Sequence, residues 1–223
     1  AITHSDEHIQ ALQQQCDQAL ESMKKQAGRL TSLRQKAASV VERQMKEKLI
    51  PLGIPNVQFK VELTPKEVPD ETGTDKINFL FSANKNGQLQ PISQVASGGE
   101  IARVMLSLKA MISGAVKLPT IIFDEIDTGV SGSIAEKMAH IMQEMGALNR
   151  QVISITHLPQ IAALGSTHYK VYKEDHAEGT SSHIVQLDEK GRVEEIAHML
   201  SGTTLTDAAI NNAKELLNQS YRK

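Results

Sequence analysis

Asp124 and Glu125 stand side by side after the apolar run Thr120-Ile121-Ile122-Phe123, and no other adjacent residues in this 223-residue chain are better placed for chemistry. A buried strand that ends abruptly in two carboxylates puts them at the carboxyl edge of an open α/β sheet, where such sheets bind ligands. Asp124 there suits Mg²⁺, because hard cations take oxygen ligands. Glu125 suits a base that orients water, since phosphoryl transfer depends on positioning and charge neutralisation. An acidic helix N-cap is the plainer alternative for the pair.

Three further segments share the same register of chemistry. Ala96-Ser97-Gly98-Gly99-Glu100 opens into an apolar-periodic helix (Ile101, Val104, Met105, Leu108). Its glycines allow close backbone approach, and the amides of a helix N-terminus favour a phosphate; a Ser-capped helix explains the same residues without a ligand. Asp127-Thr128-Gly129-Val130-Ser131-Gly132 follows the carboxylates directly and by itself is only a turn. Val152-Ile153-Ser154-Ile155-Thr156-His157 is a second apolar strand with a polar end. A lone His is usually structural, but on a strand parallel to that of Asp124 the ring of His157 reaches the same edge and can bond a terminal phosphate.

Elements that would position these groups can be read from periodicity. After Gly98, helix and strand alternate: a helix through Leu108, a strand at Thr120–Phe123, a helix near Ile134–Met145 and a strand at Val152–Ile155. That order predicts an α/β lobe with a mainly parallel sheet and flanking helices. Upstream, Val57–Leu63 alternates apolar with polar and pairs with a run at Ile77–Ser82, which makes residues 64–76 a loop and Asn86-Gly87 a tight turn. Tyr169–Tyr172 and His183–Leu187 are late strands, and Thr206–Gln219 a closing helix. From Ile9 to Leu49 a stripe of Ile9, Leu12, Cys16, Ala19, Met23, Leu30, Leu33, Ala37 and Val40 predicts one long coiled-coil-type helix that ends at Pro51, with an ordinary core-packing helix as the plainer alternative. The domain boundaries expected are 1–50 for the helix and 51–223 for the lobe, with 51–95 a β-hairpin region, 96–118 the region of the glycine-led helix and 119–223 the remainder.

Composition narrows the function classes. No apolar run approaches the roughly 20 residues of a membrane helix. The N-terminus has no Met and no signal-peptide pattern, which predicts a piece of a longer cytoplasmic protein. Cys16 is the one cysteine, so no internal disulfide forms, and its place on the stripe makes it a core residue. A formal charge of -2 gives no global attraction to nucleic acid. Basic residues between Lys24 and Lys48 form either a DNA-touching face or, more simply, a solvated one without aromatics to stack on bases. His4 and His8 lack a further ligand at zinc spacing.

The four segments, in this order, resemble ABC-type ATPases of the SMC-like, chromosome-maintenance and DNA-repair branch. The resemblance covers roughly residues 50 to 219 and is densest at Val95–Arg103, Phe123–Gly132 and Thr156–Ala162, where Leu158-Pro159-Gln160-Ile161-Ala162 resembles the bacterial double-strand-break-repair members most specifically. Arg192–Gly202 is also similar to their C-terminal end. The resemblance implies a signature motif at Ser97, Gly98, Gly99 and Glu100 that acts in trans on ATP held by a second head of a homodimer. It implies a Walker B strand with Asp124 for Mg²⁺ and Glu125 as catalytic base, a D-loop with Asp127, Gly129 and Ser131, and a catalytic switch residue at His157. It further implies DNA as the partner of the full-length protein, a role in recombination and the SOS response, a nucleoid location and a helix that is the returning arm of a coiled coil.

No Gly-x-x-x-x-Gly-Lys-Ser/Thr run occurs. The cradle for the β- and γ-phosphates must then come from a separate P-loop half, and the chain alone is expected to be inactive. Two alternatives stand beside this reading: the head of another chromosome-maintenance or transporter ATPase, against which the long helix argues in the transporter case, and a non-catalytic coiled-coil interaction module. An unpartnered arm is expected to self-associate or fold back on the chain.

Overall fold

The computed structural model describes residues 2–94, 97–116, 118–177, 179–202 and 204–220. Val95 and Ala96, expected in the glycine-led motif, and the side chain of His4 lie outside the described residues. The chain divides into two compact units, residues 1–47 with 56–94, and residues 48–55 with 95–223.

In the first unit, helix α1 (Ile2–Leu49) runs unbroken for 48 residues and strands β1 (Gln58–Asp70), β2 (Gly73–Ser82) and β3 (Gln90–Pro91) form an antiparallel sheet in the order β1-β2-β3. The expected helix is present, but its packed face differs from the expected stripe. Ala27, Ala38 and Met45 are buried, while Leu33 and Val40 stay exposed. An α-helix drifts about 20° per heptad against a 3.5-residue repeat, so one stripe cannot serve the whole length. Residues 6–26 are exposed throughout, and Cys16 is a free, exposed thiol and not a core residue.

Residues 64–76 are no loop. The β1–β2 hairpin continues through Thr64↔Lys76 and Pro65↔Asp75 to Asp70↔Gly73. Pro65 and Pro69 suggested a break, yet β1 is an edge strand, where a missing N–H costs no ladder bond. Asp70 closes the turn by accepting the Thr72 amide at 2.8 Å, and with Lys66 and Thr72 on its carboxylate its pKa falls to about 2. The expected tight turn closes with the Gly87 amide on the Asn84 carbonyl at 3.1 Å.

Asp75 on β2 ties the hairpin to α1. It accepts the Thr31 hydroxyl at 2.8 Å and pairs with Arg34 Nη1 at 3.0 Å, and the guanidinium holds its carboxyl below the ordinary value. A carboxylate with a depressed folded pKa contributes stability above its unfolded value of about 3.9, and the contribution is lost as pH falls through the folded value. Thermal melts from pH 5 to pH 2 should therefore fall more steeply for the wild type than for Asp75→Asn. Parallel curves for the two proteins would remove this lock from the account.

The second unit is built on one parallel pair. Strands β4 (Thr120–Asp124) and β5 (Gln151–Ile155) run in register from Thr120↔Gln151 to Asp124↔Ile155, and parallel pairing is confined to them among the described residues. Helix α2 (Gly98–Ser113) precedes β4, and α3 (Gly132–Ala147) is the crossover. Ala135, Met138, Ala139, Met142 and Met145 recur at helical spacing on α3 and pack with Leu106, Ile121 and Phe123 in the main core. Ile122, Ile153 and Ile155 on the opposite face of the pair are exposed.

Helix α4 (Pro159–Leu164) leads to an antiparallel hairpin, β6 (Tyr169–His176) and β7 (Gly179–Gln186), then α5 (Glu189–Ser201) and α6 (Asp207–Ser220). Ala163, Ile196, Ala197, Ala213 and Leu217 join α4, α5 and α6 in a second small core. Buried Arg192 donates to the Gly165 carbonyl at 2.5 Å, satisfying a helix end. No helix is long and apolar enough to cross a membrane among the described residues.

Candidate functional site

The apolar-to-polar switch at the end of β4 is where expected. Ile121 and Phe123 point into the core and Asp124 is exposed as the last strand residue. Glu125 follows with φ at +48°, a left-handed conformation that costs a side-chain-bearing residue about 1–2 kcal/mol. Such strain concentrates at functional sites. It takes the chain abruptly out of the strand, and Glu125 is exposed beyond the sheet edge. Neither carboxylate has a hydrogen-bond or ion-pair partner among the described residues.

Register alignment places the end of β5 beside that edge. Asp124 is opposite Ile155, so Thr156 and His157 continue alongside Glu125. The two strand ends are joined by Asp127, which is 1% exposed. Its carboxylate accepts the Thr156 hydroxyl and, at 3.1 Å, the His157 amide, while His157 Nδ1 lies 3.3 Å from its other oxygen. This second oxygen, Oδ1, is buried and makes no hydrogen bond among the described residues, so the imidazole is its nearest possible counter-charge. His157 is 68% exposed, and Nε2 has no partner among the described residues. Thr156 also accepts the Leu158 amide at 3.0 Å and so shapes the start of α4.

The loop after Glu125 is tightly constrained. Thr128 donates its hydroxyl to the Glu125 carbonyl at 3.0 Å, and Gly129 takes φ +71°. Ser131 is the exposed N-cap residue of α3 and makes no capping bond with its side chain. The glycine-led motif meets this loop. A methyl group on Gly99 would sit 3.0 Å from the Thr128 carbonyl oxygen, so a larger residue here would press the loop back by a few tenths of an ångström. Ser97 caps α2 through the Glu100 amide at 3.4 Å, and Arg103 braces the turn by donating to the Gly99 carbonyl at 2.9 Å. Ser97 and Gly98 are exposed.

The structure therefore brings Glu125, Asp127 and His157 to one edge through Asp127, and brings Gly99 to the loop that carries Gly129. Asp124 stands at the end of β4 with a carboxylate that has no partner among the described residues. Thr156 and the burial of Asp127 were not foreseen, because a threonine at a strand end and an aspartate in a turn are common. Only their pairing in space distinguishes them. Bare carboxylates at a strand end fit a divalent cation, and the exposed amides of α2 fit a phosphate.

No family profile matches the chain. Curated relatives do: the chain is 34% identical over 234 residues to the DNA repair protein RecN of Bacillus subtilis, covering 98% of this chain and 40% of that protein. It is 34% identical to RecN of Vibrio cholerae over 96% of this chain and 38% of the relative, and 37% identical to RecN of Rickettsia typhi over 86% and 35%. The chain thus spans about 40% of the length of these relatives. Among solved structures, an Smc head domain with a coiled coil and joint from Pyrococcus yayanosii superposes with a TM-score of 0.57 at 20% identity, over 76% of this chain and 30% of that one. A chain from work on ATP-driven dimerization and DNA-stimulated activation of SMC ATPases gives 0.51 at 17% identity, over 78% and 99%. These likenesses show the fold: an α/β lobe of the SMC-head type preceded by a coiled-coil-type helix.

Proposed function

This chain is homologous, along nearly all its length, to part of the bacterial DNA repair protein RecN, and we propose that it is the signature-bearing half of an ATP-hydrolysing, SMC-like head that acts in DNA double-strand-break repair. The observation that carries the reading is the shared edge: two carboxylates at the end of β4 without a partner among the described residues, followed by Asp127, which bonds the β5 end that carries His157.

In this reading Asp124 holds Mg²⁺, and the metal would supply charge neutralisation on the phosphates of ATP. Glu125 aligns a water molecule and accepts its proton as the water oxygen bonds to the γ-phosphorus and the bond to ADP breaks. His157, with Nδ1 turned to Asp127, offers Nε2 to a phosphate oxygen. Ser97, Gly98, Gly99 and Glu100 face nucleotide bound to a second head, and Asp127, Gly129 and Ser131 form the loop between the two. Residues 1–50 are the returning coiled-coil arm and 51–223 the head half. DNA is the partner of the full-length protein, in the bacterial cytoplasm.

The half is incomplete by sequence, since it holds no P-loop lysine or phosphate cradle. The bare Ile122, Ile153 and Ile155 face of β4 and β5 supports the same view, because parallel sheets are ordinarily covered on both faces. Co-expression with the P-loop segment of a RecN relative should yield a complex that hydrolyses ATP, whereas the chain alone should stay at the buffer background. Turnover by the chain alone would reveal an unread phosphate site. Silence of a well-formed complex would favour an interaction module.

A further inference from the structure

Glu174, His176 and His183 lie on the β6–β7 hairpin, away from the edge described above, and no role in nucleotide chemistry involves them. Their ligand atoms all fall within 4.8 Å of one another. Alternation along β6 puts Tyr172, Glu174 and His176 on one face, and the register Tyr172↔His183 and Glu174↔Ser181 puts His183 and Ser181 on that face too. His183 Nε2 is 3.4 Å and His176 Nε2 is 3.9 Å from the same Glu174 oxygen, Oε2.

We propose that these three side chains form a zinc site that clamps the end of the hairpin and leaves a fourth coordination position open. Two imidazoles and a carboxylate are a donor set of zinc enzymes, and tetrahedral ligands at about 2.0–2.1 Å from the metal stand roughly 3.3 Å apart. Of the three pairs, His183–Glu174 is already at that spacing, His176–Glu174 needs a side-chain adjustment of about half an ångström, and the two imidazoles lie within 4.8 Å of each other. His183 is pre-oriented by stacking on Tyr172, with ring centroids 5.3 Å apart and planes at 24°. Its Nε2 is shut off from solvent and makes no hydrogen bond, although the carboxylate is near. A metal between the two satisfies both groups, which a misdirected ion pair does not. Lys170, the cation of β6 on this face, is paired with Glu195 and does not compete for Glu174.

Titration of the whole chain with zinc by calorimetry, and with cobalt(II) by visible absorption, tests the site. One metal per chain with the intense d–d bands of tetrahedral cobalt is expected, and magnesium should not compete, since imidazole suits zinc over hard cations. Glu174→Gln, His176→Ala and His183→Ala should each weaken binding at least about tenfold, the lower end of what even outer-shell changes cost. His4→Ala with His8→Ala should leave it intact. Ser181→His places a fourth donor on the same face and should tighten binding. Absence of stoichiometric metal, or binding unaffected by the Glu174 and His183 variants, would overturn the proposal.

Discussion

Glu125→Gln in the reconstituted head should cut ATP turnover by about 10²- to 10³-fold, within the range that a positioned general base contributes. The change removes a proton acceptor and hardly alters size. Because Glu125 is exposed and its carboxylate has no hydrogen-bond or ion-pair partner among the described residues, no polar folding contact is lost with it. Nucleotide binding and thermal stability should therefore remain, which separates a chemical defect from a structural one. Glu144→Gln, an exposed carboxylate on α3, is the matched control and should be silent. The backbone supplies a second test. At φ +48° glycine is comfortable where glutamate is strained, so Glu125→Gly should stabilise the chain by about 1 kcal/mol while turnover collapses. A residue kept at a cost to stability and needed for rate is what a catalytic role requires. Unchanged turnover in the Gln variant would end the assignment of Glu125 as base.

The parts of this edge that were legible in sequence are those that local rules dictate. An apolar run that switches to polar residues at Asp124 and again at Thr156 marks two strand ends, and a Ser before two glycines and a periodic run marks the start of a helix. The structure places all three as expected. What could not be read was long-range. The inward face of α1 moved from Leu33 and Val40 to Ala38 and Met45, because a continuous amphipathic pattern does not say which part of a helix meets a sheet. Pro65 and Pro69 argued for a loop, and only the position of β1 at a sheet edge permits the strand that exists. Cys16 belongs to the apolar stripe of an arm whose residues 6–26 are exposed, so its apolar neighbours in sequence did not bury it. Helix α5 and the short α4 were not anticipated as helices, although the residues of both fell within segments similar to the repair ATPases. Asp127 is the sharpest case. Nothing in the run Asp127-Thr128-Gly129 announces a buried carboxylate, because its partners, Thr156 and His157, are about thirty residues away along the chain.

That long-range link yields the second large effect. Asp127→Ala should destabilise the chain by on the order of 2 kcal/mol, since it leaves the Thr156 hydroxyl and His157 amide without their acceptor. For a chain of this size that is a loss of about 4–8 °C in melting temperature. Asp127→Asn is the informative companion. Its amide oxygen can still accept both bonds, so stability should stay near that of the wild type, yet the negative charge beside His157 Nδ1 is gone. If that charge supports His157 at the phosphate, turnover of the reconstituted head should fall about tenfold or more. Thr156→Val should lose part of the stability and couple to Asp127→Ala by roughly 1 kcal/mol in a double-mutant cycle. If Asp127→Ala instead melts and turns over like the wild type, the junction of loop and strand end has no energetic weight. If Asp127→Asn loses stability but keeps full activity in the assembled head, the buried carboxylate is structural alone. The predicted split, stability lost in one variant and rate in the other, would assign Asp127 two separable jobs: one oxygen holds the strand end, and the negative charge stands beside the histidine.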